Sequence, residues 1–498
     1  MEIEFTKQMV PCCRRCFRQA KIITDHVDCV VPDVLEDIGK IAFSDAQLLL
    51  KGKEMTPSGA RVSASMEAAV FYISDSLDKV RCIKLTKDFS AEFESDEITP
   101  ESYLLSSLTL QGLQPRIVNA RKISVQFSAE VLLDAWREDQ LPAVISAGVN
   151  EGCALQLLEG ESDCISMAEI TEKSFVISEQ LPLAEEQDGP VSLICSNAKL
   201  LYTDHQMIGS KVLLKGGAEF RFGYETDSSS YPRFSEQCVS FSVLIDAPGE
   251  ETKMSRLILQ PTALYANLGD AINGGHVVEM ELHAVAQVGF SQTQKLHYIT
   301  DAYSTRFPLR CLEESREICR SRTTEYCTVS AEEKSEYEGQ ISAIAAQHAE
   351  ILSSTIRDGK GIASAVVSAV VQTEDGTLGY VQKLLTFESA LPCACCEISS
   401  LQMLSFDVKA EETELLFSAE LQFVFLTNES GEVRYVRAVE IDTETPFPLS
   451  ARPALVAVRR KDRSLWSMAK QYSSSMEAIE ALSKKYELPP DLLLIPKI

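Results

Sequence analysis

The sequence has no continuous apolar run approaching the ~18 residues that a membrane-spanning helix needs, so membrane insertion is not expected. Its six histidines, His26, His205, His276, His283, His297 and His348, are scattered, with no second His at i, i+4 and no His-Glu-x-x-His run, so metalloenzyme chemistry has no anchor. A Gly-x-x-x-x-Gly-Lys-Ser/Thr phosphate cradle and a Gly-x-Ser-x-Gly nucleophile elbow are both missing. Acids are plentiful but dispersed on alternating faces, the pattern of a solvated surface. No residue is nominated as catalytic, and the chain reads as a non-enzyme that needs no cofactor. Positive charge is also short: 47 Lys and Arg stand against 73 Asp and Glu, a net charge of −26. That field repels phosphate backbones and anionic headgroups, which argues against nucleic acid and bare membrane as partners.

A secretory leader is not visible either, because Met1-Glu2-Ile3-Glu4-Phe5 carries acids where a signal peptide has a basic segment and an apolar run. Fifteen cysteines, an odd number in a long chain, do not form a disulfide framework. A reducing, cytoplasmic compartment is expected. Two clusters, Cys12, Cys13 and Cys16 near the start and Cys393, Cys395 and Cys396 after Pro392, fall short of the four ligands of a closed zinc site. They read as reduced, partly buried thiols that pack like small apolar residues, and no metal is assigned.

What is present is a composition that folds: 45% hydrophobic and 24% charged residues over 498 positions, too long for one core and suited to three or four domains. Self-similarity organises it. Gly59-Ala60-Arg61-Val62, Gly209-Ser210-Lys211-Val212 and Gly359-Lys360-Gly361-Ile362 share a Gly-x-x-β-branched pattern at intervals of 150 residues. An apolar extended run follows each: Val62 to Ile73, Val212 to Tyr224 and Ile362 to Gln372. Ser44-Asp45-Ala46-Gln47-Leu48 resembles Ser196-Asn197-Ala198-Lys199-Leu200, and Phe127-Ser128-Ala129-Glu130-Val131 recurs as Phe417-Ser418-Ala419-Glu420-Leu421.

Between these marks the dominant period is two. From Lys122 to Val131 apolar residues fall on the odd numbers, which puts one face on a core and the other in water, as in an antiparallel sheet. Turns are expected at Pro57-Ser58-Gly59, Asp375-Gly376 and Ser430-Gly431. The fold class is therefore mainly β: three tandem β-sandwich-like repeats over residues 1–150, 151–306 and 307–448, then a small βααβ domain over 449–498. Helical spacing of Ile341, Ile344, Ala345, His348 and Ile351 predicts a helix over Glu332 to Leu352 opening the third repeat. The polar stretch Pro308 to Thr324 reads as the connection before it.

The segment Asp28-Cys29-Val30-Val31-Pro32-Asp33-Val34-Leu35-Glu36-Asp37-Ile38-Gly39-Lys40-Ile41, with Arg116-Ile117-Val118-Asn119-Ala120-Arg121-Lys122-Ile123, resembles the tandem SPOCS domain of spore-coat morphogenetic proteins. Ser178-Glu179-Gln180-Leu181-Pro182-Leu183 and Asp301-Ala302-Tyr303-Ser304 extend the likeness into the second repeat, while the third rests mainly on periodicity. From its own residues, Asp28 to Ile41 reads as a buried extended segment broken by Pro32 and packed on the sheet. At the C-terminus, Leu465-Trp466-Ser467-Met468-Ala469-Lys470-Gln471-Tyr472 and Leu492-Leu493-Leu494-Ile495-Pro496 resemble a LysM module. Ser464 is placed to cap the first helix, and Trp466, Ala469 and Tyr472 share one face of it as core.

Glycan-binding LysM modules carry Gly-Asp-Thr/Ser in the first loop, and an Asn with Pro-Gly in the second. Here the loops read Arg460-Lys461-Asp462-Arg463-Ser464 and Tyr486-Glu487-Leu488-Pro489-Pro490-Asp491. Without glycine to admit close backbone approach, and with cations added, an acidic protein surface suits this end better than a glycan. The residues assigned to partner binding are Arg459, Arg460, Lys461, Arg463, Lys484 and Lys485, with Leu465 and Trp466 setting the shape. The resemblance implies a scaffold of endospore coat assembly, acting in the mother-cell cytoplasm at the forespore surface. Its implied partner is the morphogenetic ATPase of the coat basement layer or another coat protein. The alternative is a cell-wall or spore-cortex protein that holds peptidoglycan.

Overall fold

A computed structural model describes residues 2–76, 79–147, 153–183, 189–227, 231–271, 275–393, 396–411, 413–448, 454–459, 463–486 and 492–496. The described residues are mainly β, in antiparallel sheets of which one is large and the others have two or three strands. The strands fall in three runs. The first holds β1 (Glu2–Val30), β2 (Ile38–Thr56), β3 (Gly59–Ser74), β4 (Val80–Glu94), β5 (Tyr103–Asn119) and β6 (Lys122–Ala147). The second holds β7 (Leu155–Pro182), β8 (Pro190–Ile208), β9 (Lys211–Thr226), β10 (Arg233–Asp246), β11 (Lys253–Asp270) and β12 (His276–Ser304). The third holds β13 (Leu309–Glu336), β14 (Ile341–Arg357), β15 (Lys360–Thr373), β16 (Leu378–Ala390), β17 (Cys396–Glu411) and β18 (Glu414–Ile441).

In each run the second, third and fourth strands form an antiparallel meander, and the last strand lies between the fifth and the first. β1 also pairs with β18 through Glu2–Glu4 and with β7 at Cys13, so the long strands join in one nine-stranded sheet. The alternation seen in the sequence explains the layers. Ile123, Val125, Phe127, Ala129, Val131, Leu133 and Ala135 of β6 are fully buried and face Val62, Ala64, Met66 and Val70 of β3. In the second run Phe220 and Phe222 meet Val278, Met280 and Leu282. In the third Ala365, Val367 and Phe387 meet Phe417, Leu421, Phe423 and Phe425. Each buried large apolar side chain contributes about 1.5–3 kcal/mol, so this face-to-face packing dominates what holds the layers together.

Gly209 and Gly359 occupy the turns after β8 and β14, and Gly59 opens β3 directly after the Pro57-Ser58 turn, all at positive φ: 152° at Gly59, 57° at Gly209 and 74° at Gly359. Gly376 turns β15 into β16 at φ 85°. Ser430-Gly431, by contrast, makes no turn: both residues pair within β18, against Cys319 and Ile318 of β13. A Cβ on Gly431 would meet only the flexible end of the exposed Arg320 side chain, which can move aside.

The helix expected over Glu332 to Leu352 is replaced by the end of β13 and the start of β14. Register shifts at Ile341/Ala343, Ile344/Ala346 and Ile351/Ser353 insert extra residues into β14. Each bulge converts a two-residue period into a three-residue step, which imitates a helical stripe. Pro308 to Thr324 is no connection either, because Leu309 to Thr324 forms the first part of β13 and pairs along β18.

Asp28 to Ile41 runs from the end of β1 through a turn into β2 and is not buried as a whole: Val31 and Ile38 are buried, but Val30 and Val34 are 66% and 89% exposed, because the turn after Pro32 lies at the surface. The guanidinium of Arg121 ties this turn to the other family-like stretch: it donates to the carbonyls of Leu35 (2.7 Å), Val31 (3.0 Å) and Pro32 (2.8 Å), and to Oδ1 of Asp37 (3.0 Å). Cys13 and Cys396 are buried and Cys16 and Cys393 half-buried, packed among strands; Cys395 lies outside the described residues. Among the described residues no group of three His, Cys, Asp or Glu side chains is placed to hold a metal, and no helix is long and apolar enough to cross a membrane.

Candidate partner-binding site

The C-terminal unit is built from β19 (Leu455–Arg459), α1 (Leu465–Tyr472), α2 (Met476–Lys485) and β20 (Leu492–Pro496). Three consecutive serines fold its middle. Ser473 ends α1 in the left-handed region at φ 51°, Ser474 donates to the Pro496 carbonyl at 2.6 Å, and Ser475 caps α2 by accepting from the Ala478 amide. Ser464 caps α1 by accepting from the Ser467 amide at 3.1 Å, which satisfies one of the donors that a helix start leaves open. Trp466, Met468, Ala469, Ile479, Leu493 and Ile495 form the small core, with Leu465 and Tyr472 partly buried against it.

β19 and β20 pair antiparallel, Arg459 opposite Leu492. One end of the unit is therefore where β19 runs out, α1 begins, α2 closes and β20 starts. Exposed Arg459, Arg463, Lys484 and Lys485 all belong to that end. Arg463 donates to Oε1 of Gln471 at 3.0 Å, and the Lys485 ammonium lies 5.5 Å from the Tyr486 ring centroid. Arg460 and Lys461 lie outside the described residues. Leu465 and Trp466 do not join the cationic end but pack inward.

Through α1 the unit is seated on the second run of strands, by residues that the sequence marked only as family-like. Asp301 accepts from the Trp466 indole N–H at 2.8 Å, and both its oxygens accept from Lys470, at 2.6 and 2.7 Å. Tyr303 lies edge-on to Trp466, ring centroids 4.8 Å apart, and its hydroxyl donates to the Ser474 carbonyl at 2.6 Å. Burial works against the Asp301 charge, but the hydrogen bonds from Lys470 and Trp466 outweigh it and hold its pKa below the ordinary carboxylate range. Burial, with Asp301 alongside, pushes the Tyr303 hydroxyl up to about 12, so it remains a donor. A charge-assisted bond of this kind contributes about 1.5–3 kcal/mol where it is shielded, and less where Lys470 meets solvent.

A second polar group, not anticipated as such from sequence, lies where the three meanders meet. Asp45 of β2, Asn197 of β8 and His348 of β14 approach one another, with Arg221 of β9 between them. The Arg221 Nη1 is 2.7 Å from Nδ1 of His348, whose ring stacks on Phe43 at 5.6 Å. Burial, with Arg221 and Lys199 adding positive field and Asp45 opposing, pushes His348 down to about 4, leaving a neutral ring that accepts from Arg221. Burial also opposes the Asp45 charge, yet the field of Arg221 and Lys199, the Asn197 hydrogen bond and, where its ring is protonated, His348 override it. His348 is buried while Asp45, Asn197 and Arg221 are half-buried and Lys199 is exposed, and the contacts among them link the three meanders.

The fold and this end of the molecule define a mainly β body carrying a small, seated βααβ unit with a cationic end. Comparison with protein-family models, with curated proteins and with solved structures gives no match.

Proposed function

We propose that the chain is a non-enzymatic assembly scaffold: one sheet-forming unit present three times, over residues 1–150, 151–306 and 307–448, followed by a LysM-like module over 449–498. The strand order that recurs in the three runs supports the repeat reading, and the βααβ order with its capped helices supports the LysM-like one. The resemblance set out above gives the setting, coat assembly at the forespore surface in the mother-cell cytoplasm. The partner is an acidic coat protein, the basement-layer ATPase first among candidates.

The observation that carries this reading is that exposed Arg459, Arg463, Lys484 and Lys485 fall at one end of a unit fixed through Trp466 to the β body, in a chain whose net charge is −26. Separated charge of this kind steers an acidic partner to the cationic end and away from the body. Weak contacts along the β body then add through effective concentration. The test is capture of the basement-layer ATPase by the full chain, by R463E/K484E and by a truncation ending at Pro448. Loss of capture in both variants, with a shallower salt dependence for R463E/K484E, is expected. Undiminished capture by the truncation removes the docking role, and robust pelleting of the full chain with purified peptidoglycan replaces it with wall binding.

A further inference from the structure

The contact between the C-terminal unit and β12 has the make-up of a recognition site already filled by the chain itself. On the unit's side, Trp466 and Lys470 stand one turn apart on α1 and offer an indole N–H, an ammonium and an aromatic face. On the other side an extended Asp-Ala-Tyr segment answers each of these groups. Asp301 takes the N–H and the ammonium; Tyr303 packs T-shaped against the indole and reaches the Ser474 carbonyl after α1. The register of β12 against β7 shifts between Ile299 and Asp301, a bulge that re-aims the strand just before the contact. Bulges of this sort place a side chain for a task rather than for ladder pairing.

Among the described residues, body side chains in this contact include Leu158, Asp301 and Tyr303. Contacts of this kind within a chain open readily and persist because the two parts are tethered. The tether is short, since β18 ends at Ile441, the Phe447 amide is bonded to the Arg306 carbonyl at 2.8 Å, and β19 begins at Leu455.

We propose that the Trp466–Lys470 face of α1 is a binding surface for an extended acidic–aromatic segment, Asp-x-Tyr in kind, of a protein partner, and that Asp301–Tyr303 occupies it in cis as the competing occupant. This face is distinct from the cationic end, and the proposal does not rest on the coat reading. The chemistry argues for a peptide rather than a sugar. A carboxylate that takes two charged or polar donors, and a phenol two residues later on the same side of an extended chain, match the side-chain period of a strand. Opening the face costs the cis contact, so a partner binds only when it offers the same groups at a concentration that competes with the tether.

The test uses the full chain and a labelled synthetic peptide of residues 297–306, followed by fluorescence anisotropy. Wild type, with its face filled, is expected to bind at least ten-fold more weakly than D301N/Y303F, in which the cis segment has lost its carboxylate and hydroxyl. Adding K470A to that variant should abolish binding, as should replacing the Asp301 equivalent of the peptide by Asn. Equal affinity for wild type and variant, absence of binding to both, or indifference to K470A overturns the proposal. Hydrogen exchange of the α1 amides checks that the unit stays folded; if the double variant loses that protection, D301N alone, which keeps the Tyr303 ring in place, carries the same comparison.

Discussion

The side-chain amide of Asn197 donates to Oδ1 of Asp45 at 3.0 Å across 152 residues of sequence. The two residues hold matching places in their meanders: Asp45 lies opposite Ala69 on β3, and Asn197 opposite Arg221 on β9. Together with His348 they fix how the three meanders sit, so stability at this point is electrostatic as well as apolar.

Removing the Asp45 carboxylate tests that claim. D45A leaves the half-buried Arg221 without the field of the carboxylate and Asn197 without its acceptor, and should cost about 2–3 kcal/mol. D45N retains an acceptor for Asn197 and should cost less, about 1–2 kcal/mol. The pair D45A and R221M should be less than additive, because the second change removes the charge that the first left unmatched. Urea midpoints of the four proteins decide this; additive losses would show that the groups act independently.

Glu350 stands two residues from His348 on the same strand, and burial, with Asp45 adding repulsion, pushes its carboxyl up to about 7. Its Oε1 has no hydrogen-bond partner. Because its folded pKa is raised, the stability it supports is present at low pH and is lost as pH rises from about 4.5 through 7. His348 acts in the opposite sense: its folded pKa is lowered to about 4, so stability is present above 6.5 and is lost as pH falls toward 4. The two slopes offset each other in the native protein. E350Q should remove one of them, giving roughly 1–3 kcal/mol more stability at pH 8 and a profile that declines as pH falls below 6.5. Denaturant midpoints at pH 5, 6, 7 and 8 measure it; an unchanged profile would place Glu350 in solvent.

Those two groups also show which parts of the molecule the sequence made legible. Alternating runs such as Ile123 to Val131 announced their faces, because a strand with one dry side must alternate. Ser464 announced a helix start, because its hydroxyl has a local donor to satisfy. β14 misled because bulges changed its period from within, and β13 because a strand with much of its surface in water carries few apolar residues. The Asp301–Trp466 and Asn197–Asp45 contacts left no local trace: their partners lie 165 and 152 residues away. For Asp45 and Asn197 the similarity of the surrounding residues was visible, but not that similar positions would touch.

Two of the recurrent glycines should differ in sensitivity although their sequence patterns match. A Cβ at Gly59 meets the Phe93 carbonyl oxygen, and its φ of 152° is a region left almost entirely to glycine. G59A should cost about 3 kcal/mol, with backbone strain and the clash acting together. At Gly359, with φ 74° and open space around the site, G359A should cost only the ~1–2 kcal/mol of a left-handed alanine. Thermal or urea midpoints rank the two; the reverse order would mean that the β2–β3 turn relaxes freely.

Gln287 welds the first run of strands to the second. It is fully buried, donates to the Ser106 carbonyl at 2.7 Å, and accepts from the Ser106 amide and the Lys53 ammonium, both at 2.8 Å. In Q287L a side chain of similar volume removes all three bonds. Lys53 keeps the Leu104 carbonyl and Glu172 as partners, so the loss falls on the Ser106 amide and carbonyl. Two buried backbone groups left unmatched cost about 3 kcal/mol. That penalty lies at a joint, so it should separate transitions that otherwise coincide. Trp136 packs beside this joint with Leu105, Met167 and Ile170, and the other tryptophan, Trp466, is in the C-terminal unit. In a W466F background the fluorescence of Trp136 therefore reports the joint alone. Its urea transition should coincide with far-ultraviolet circular dichroism in the parent and precede it in Q287L. Coincident transitions at a common lower midpoint would instead show that the two runs unfold as one unit even without the Gln287 bridge.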